Sequence, residues 1–276
     1  SSSNNNVYSN TITTSGGSGY GAYLASSSNN NSVYSNTITT SGSDGVGVYL
    51  FLSSNNNNVY SNNITTSNTG SYGIYLTDDI FNNTIYDNNI TTKNMTSSYG
   101  IYFLDDTVNN TFYRNSISSL AAGIVFNGTD FNLNGISKIY NNQFTNDTIV
   151  PCTAGCASNY NDIVLTANVT DITFTNVSFN KSRVAFVPRS PDTPTEKNNM
   201  TVRWYLNVNV TNSTNNNPIA NAQVIINDSF ATNIFNGTTD ATGGIATQIV
   251  TEYTQNGSVK FTDLTDNCTD LKSTVN

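Results

Sequence analysis

The sequence predicts an all-β protein: a parallel β-helix of about seven coils over residues 1–187, followed by a small second all-β domain. Three observations predict it. The stretch VYSNTITT at Val7–Thr14 returns verbatim at Val33–Thr40 and as VYSNNITT at Val59–Thr66. Inside each repeat, apolar and polar residues alternate with the period of a strand. Clusters of Asn, Ser and Gly separate the alternating segments and mark tight bends, with no helical period between them.

The tyrosine of the motif falls at Tyr8, Tyr34, Tyr60, Tyr86, Tyr113 and Tyr140, so successive spacings are 26, 26, 26, 27 and 27. A period of this length signals a solenoid. Ser- and Asn-rich sequence can also mean disorder, but disorder does not hold apolar residues in fixed register. One column reads Val7, Val33, Val59, Ile85, Phe112, Ile139, and a second reads Ile12, Ile38, Ile64, Ile90, Ile117, Phe144. A third is Ala22, Val48, Ile74, Ile101, Ile124, and a fourth is Leu24, Leu50, Leu76, Phe103, Phe126. Three short strands per repeat make one coil, and coils stacked at ~4.8 Å put like residues above like.

The bends come next. Asn10, Asn36, Asn62, Asn88, Asn115 and Asn142 fit an internal asparagine ladder, since Asn accepts a left-handed backbone and its amide bonds its neighbours in the stack. A second cluster (Asn29–Asn31, Asn55–Asn58, Asn82–Asn83, Asn109–Asn110) marks another sharp bend. Asp162–Leu165 matches the GIYL segment of earlier repeats, and Ile172, Val177 and Phe179 continue the pattern into a seventh coil. The CTAGC stretch then reads as an insertion between Phe144 and Ile163.

Repeats of the form NNTIYDNNITT…YGIYL resemble the right-handed parallel β-helix repeats of archaeal and bacterial surface proteins. The resemblance covers roughly residues 1–187 and implies a right-handed helix. The same fold serves polysaccharide lyases, phage tailspikes and a periplasmic copper-enzyme maturation family, so it implies stacking and no single chemistry.

After Val187 the texture changes. Residues 188–200, with PRSPDTPTEKNN, read as an exposed linker. Residues 201–276 alternate through MTVRWYLNVNV, PIANAQVIIND, TTDATGGIATQIV and GSVKFTDL, with turns between. The segment NNPIANAQVII…TTDATGGIA is similar to Ig-like or transthyretin-like β-sandwich modules. That resemblance implies a small sandwich in which Pro218 and Asn221 precede a strand and TDATGG forms a hairpin. Trp204 is expected to anchor its core.

Composition excludes several chemistries. Histidine is absent, which removes imidazole bases, Ser-His-Asp triads and His-ligated zinc. A net charge of −8 argues against binding nucleic-acid phosphates, and no apolar run is long enough to span a bilayer. No basic-plus-apolar leader opens the numbered chain, which reads as mature or truncated material. Cys152 and Cys156 read as a local disulfide closing a small loop; Cys268 is then the odd thiol, unless it takes one of the pair.

Only one place in the solenoid gathers acids: Asp78 and Asp79, with Asp105 and Asp106 a coil later. They read as turn formers, with Ca2+ binding or a paired-acid glycosidase site as alternatives. No Lys or Arg column accompanies them, and no catalytic constellation is expected. Asp87 and Arg114 are expected to pair across adjacent coils on the surface. Glycosylation sequons occur at Asn82, Asn94, Asn109, Asn127, Asn168, Asn199, Asn236 and Asn256. A chain with only 10% charged residues has reason to carry glycans for solubility.

With Val7 pointing in, alternation turns Tyr8 and its column outward, and Tyr23, Tyr49, Tyr75 and Tyr102 form a second outward column. These ladders serve self-stacking, contact with another subunit, or sugar binding. The function expected is a non-catalytic, extracellular structural protein, a glycosylated subunit of a cell-surface layer or filament. Ser1–Asn6 starts in mid-pattern without a capping element, which suggests head-to-tail self-association, with another copy's sandwich or its tail after Lys260 covering that end. The alternatives are a carbohydrate-binding adhesin or tailspike-like module on the tyrosine ladders, then a Ca2+-dependent polysaccharide lyase or hydrolase.

Overall fold

A computed structural model describes residues 2–128, 139–166, 169–187, 198–228, 231–256, 259–261 and 272–275. It divides into two units, Ser1–Met200 and Thr201–Asn276. The linker residues 188–197 lie outside the described residues, as do Asn168, Cys268 and most of the tail after Lys260.

The first unit is a parallel β-helix of about seven coils. Each full coil contributes one strand to each of three parallel sheets. The first sheet stacks Asn6–Tyr8, Ser32–Tyr34, Asn58–Tyr60, Thr84–Tyr86, Thr111–Tyr113, Gln143–Thr145 and Ile172–Thr175. The second stacks Thr11–Thr14, Thr37–Thr40, Asn63–Thr66, Asn89–Thr92, Ser116–Ser119 and Thr148–Val150. The third runs through Tyr20–Ala25, Val46–Phe51, Tyr72–Thr77, Tyr99–Leu104, Ala122–Asn127, Asn161–Leu165 and Val184–Phe186. From the fourth coil on, a short fourth sheet appears at one corner, beginning with Ile80–Phe81 and Thr107–Val108.

Register follows the repeat: Val7 pairs Val33, Ile12 pairs Ile38, Leu24 pairs Leu50. Because side chains alternate, every second residue enters the core, and Val59, Ile64, Ile74 and Leu76 are wholly buried. Each such side chain contributes about 2–3 kcal/mol of apolar burial. Coils four to seven fill the same space with stacked rings: Phe112, Phe144 and Phe174 lie 4.6 and 4.9 Å apart, and Phe103 and Phe126 4.6 Å.

The core also needs one column without side chains. On the third sheet Gly21, Gly47, Gly73, Gly100 and Gly123 leave the space taken by Cγ2 of Ile38, Ile64, Ile90, Ile117 and Ile149. A Cβ at Gly73 would overlap Ile90 Cγ2 and the Gly100 carbonyl oxygen.

Two interior asparagine ladders hold the bends. In one, the Asn36 amide oxygen accepts from both the backbone and side-chain nitrogens of Asn10, and Asn62, Asn88 and Asn115 repeat this at 3.0–3.1 Å. The other runs Asn5, Asn31, Asn57, Asn83, Asn110, Asn142. The left-handed residue of each bend is not the ladder asparagine, as expected from sequence, but the residue before it: Ser9, Ser35, Ser61, Asp87 and Arg114 have φ of 54–55°. That twist turns the following amide inward, where an unbonded polar group would be costly.

The sixth coil corrects the sequence register. Phe112 pairs with Phe144, not Ile139; Ile117 pairs with Ile149, not Phe144; and Tyr113 pairs with Thr145. Ile139 and Tyr140 instead pair with Thr107 and Val108 in the corner sheet, so Tyr140 leaves the tyrosine ladder and Asn142 joins the second asparagine ladder. The cause is a pattern used twice per coil. Apolar–aromatic–Asn–Asn at Ile139–Asn142 copies Ile80–Asn83 as well as it copies the motif around Tyr86.

The second unit is antiparallel. Gln223–Asn227 pairs with Asn233–Thr238 and with Lys272–Val275, while Gln248–Asn256 pairs with Val259–Phe261. Val224, Ile226 and Tyr253 are buried, which is compatible with a small sandwich. Asp240 closes its turn by accepting from the backbone nitrogens of Thr242 and Gly244. Trp204 is only half-buried, with its indole N–H on Glu252, so it is less a core anchor than the sequence implied.

Candidate functional site

An exterior feature that runs through five coils is the tyrosine ladder of the first sheet. Tyr8, Tyr34, Tyr60, Tyr86 and Tyr113 stack at 5.1, 4.8, 4.8 and 4.7 Å, within 7° of parallel. Rings this close cover one another's faces and leave edges and hydroxyls outward. At the end of the row the Arg114 guanidinium lies 4.7 Å over Tyr113 and reaches back to both carboxylate oxygens of Asp87 at 2.7 Å. That bidentate contact holds the Asp87 carboxyl below its usual range.

The third sheet carries a broader cluster. Tyr23, Tyr49, Tyr75 and Tyr102 follow one another at 5.1, 4.6 and 5.1 Å. Tyr20, Tyr72 and Tyr99, which sequence reasoning missed, flank them, and the recurring Y-G-x-Y spacing was the available signal. Burial, and after it the neighbouring rings, raises the Tyr49, Tyr72 and Tyr75 phenols.

The acids occupy equivalent positions one coil apart, as expected: Thr77 pairs with Leu104 and Ile80 with Thr107, which aligns Asp78 with Asp105 and Asp79 with Asp106. Asp78, Asp79 and Asp105 all have left-handed backbones, φ 55–64°, a conformation Asp tolerates better than most residues. Burial, then the nearby Asp79 and Asp106, raises the Asp78 carboxyl against an opposing hydrogen bond from Thr77. Among the described residues no group of three or more His, Cys, Asp or Glu side chains is placed to hold a metal.

Cys152 and Cys156 form the expected disulfide, in the loop between Thr148–Val150 and Asn161–Leu165. Arg183 fastens this loop, donating to the Cys152 carbonyl at 3.2 Å and lying 5.1 Å over the Tyr160 ring. A feature with no forewarning is Asp147, which takes the ladder position after Asn115. It is 1% exposed and accepts from the Asn115 backbone and side chain at 2.7 and 2.8 Å, and from the Thr145 nitrogen at 3.1 Å. Burial pushes its carboxyl up to about 7, with those hydrogen bonds opposing the rise.

The sequon asparagines differ in access. Asn82, Asn109 and Asn236 are exposed. Asn94 is half-buried; Asn199 is also half-buried and accepts from the Asp171 nitrogen. Asn127 is tied at both ends, donating to the Tyr102 hydroxyl and accepting from Thr166. Asn168 and the side chain of Asn256 lie outside the described residues.

Residues 40–162 match the family model described as Periplasmic copper-binding protein (NosD). A search of curated proteins gave no match. Copper sites favour imidazole, thiolate or thioether donors. The chain has no histidine; the matched stretch has Met95 as its one methionine, and Cys152 and Cys156 are bonded to each other. The donor set does not fit copper, so the similarity supports the solenoid and not a metal. Among the described residues no helix is long and apolar enough to cross a membrane.

Proposed function

We propose that the chain is a non-catalytic structural protein of the cell exterior: a glycosylated subunit of a surface layer or filament that associates head to tail. One observation carries the reading. The repeated polar and aromatic side chains of the regular coils are engaged with their own copies, amide on amide in the two asparagine ladders and ring on ring in the tyrosine row. A scaffold so occupied offers stiffness and repeated faces. The match to a periplasmic family supports a place outside the cytoplasm.

Self-association fits a solenoid that presents the same faces coil after coil. With charged residues at 10%, little charge holds copies apart. Glycans on exposed sequons such as Asn82 and Asn236 would supply the missing solubility. Electron microscopy and light scattering of native material test the reading. Filaments or layers bearing density on asparagine are expected, and monodisperse monomers at high concentration would overturn it.

A further inference from the structure

A notch is cut into the solenoid at the fifth coil. The bend joining the second sheet to the third is Lys93–Ser98 in the fourth coil and Pro151–Tyr160 in the sixth, but only Leu120 and Ala121 in the fifth. Two longer loops therefore wall a short one. The backbone nitrogen of Ala157, in the disulfide loop, donates to the Leu120 carbonyl at 2.8 Å, which fixes one wall against the floor.

Both aromatic columns of the third sheet stop at this same coil. Tyr99 is followed by Ala122 in register, and Tyr102 by Val125, then Val164 and Ala185. The step from ring to small side chain opens a groove of about 700 Å3, the size of a small-molecule site. Tyr99 and Tyr102 stand at one end over an aliphatic floor. Asn127, with its amide oriented between the Tyr102 hydroxyl at 2.7 Å and Thr166 at 3.1 Å, sits on the rim with Asn159 and Asn161. Among the described residues no Asp, Glu, Lys or Arg lines the groove, although the chain carries a net charge of −8.

We propose that this notch binds a neutral oligosaccharide. Aromatic rings and valine methyls suit the C–H faces of sugar rings, and amides and hydroxyls suit their hydroxyl edges. A described lining without charge disfavours phosphorylated, sulfated or uronic-acid ligands, which would be desolvated without a partner. The first-sheet tyrosine ladder does not compete for this role, because its ring faces are closed by stacking.

The test is a panel of neutral hexose and N-acetylhexosamine oligosaccharides, arrayed and then titrated calorimetrically against the full chain. Binding of at least one member is expected. Val125→Tyr, which carries the ring column on into the notch, lowers that affinity at least about tenfold. Asn127→Ala also weakens it, and reduction of the Cys152–Cys156 disulfide does so by loosening a wall. Tyr60→Ala, on the closed ladder, leaves it unchanged. Ala122→Trp replaces Val125→Tyr as the blocking variant if the latter does not fold. The proposal is overturned if no neutral glycan binds, if only acidic glycans bind, or if a folded blocking variant binds like the parent chain.

Discussion

Coils one to four and coils five to seven are built on the same three sheets, yet they differ in what their columns hold. In the first four, the columns are near copies: Val, Ile and Leu inside, with Phe103 entering in the fourth, Asn at two bends, Tyr outside, and bends of similar length. In the last three, phenylalanine fills more of the core, an aspartate replaces a ladder asparagine, one bend shrinks, the next lengthens around a disulfide, and the tyrosine columns end. Repetition carries the stack, and the buried acid and the notch lie where repetition breaks. Stability therefore resides most uniformly in the first part and chemical individuality in the second.

The largest effect is expected at the glycine column, where the regular coils tolerate no side chain. Gly73→Val drives a branched side chain into Ile90 Cγ2 and the Gly100 carbonyl, and should cost at least about 4 kcal/mol in denaturant unfolding. Gly16→Ala, with nothing within 4 Å of the added Cβ, should be near neutral. A similar loss at both positions would show that the regular coils are not close-packed.

Asp147 gives the next largest effect, as a slope with pH. Folded, its carboxyl holds its proton up to about 7; unfolded, it loses it near its ordinary 3.8. Between these values the native state binds more protons, so stability is highest at the acid end and falls as pH rises toward 7. The gap of about three units sets a ceiling of roughly 4 kcal/mol. Asp147→Asn keeps an amide oxygen for Asn115 and should remove this slope; unfolding curves at pH 4, 5.5 and 7 measure it. A slope unchanged in the variant would assign the pH dependence elsewhere.

Much of this contrast was legible in the sequence. The first four repeats align without gaps larger than one residue, so their core columns, interior asparagines and outward tyrosines could be read by spacing. The sixth could not, because Ile139–Asn142 fits two stations of the coil equally well, and only the hydrogen-bonding register chooses between them. Asp147 escaped for the same reason: once Asn142 was placed in its column, nothing marked the aspartate as buried. The notch was present as a shortened spacing from Ile117 to Ile124, but a deletion in a bend signals a groove only when its neighbours' loops are known to rise beside it. Cys152 and Cys156 were readable because four residues of separation leave them few other partners.

Within the ladder itself the effect is smaller. Asn62→Ala removes the acceptor for both nitrogens of Asn36 and the donor to Val33 and Asn88. Buried donors left unpaired cost about 1–3 kcal/mol each, partly recovered by relaxation, so about 3 kcal/mol is expected. Asn10→Ala, at the exposed start of the same column, should cost much less, and equal losses would mean that the ladder is not a buried network.

The smallest effect belongs to the outward tyrosine row, and it separates packing from contact. Tyr60 lies 4.8 Å from both Tyr34 and Tyr86, so removing its ring forfeits two stacking contacts worth about 1 kcal/mol each at most. Its half-exposed position leaves water to fill the gap, which limits the loss. Tyr60→Ala should therefore lower stability by about 1 kcal/mol, and a Tyr34/Tyr60 double-mutant cycle should show coupling of similar size. Arg114→Ala, which breaks an exposed ion pair, should leave the melting temperature unchanged within error. If the row exists for self-stacking alone, these variants assemble as the parent does. If it is also a contact face, Tyr60→Ala disrupts assembly far more than its small stability cost can explain, and electron microscopy of the variant distinguishes the two.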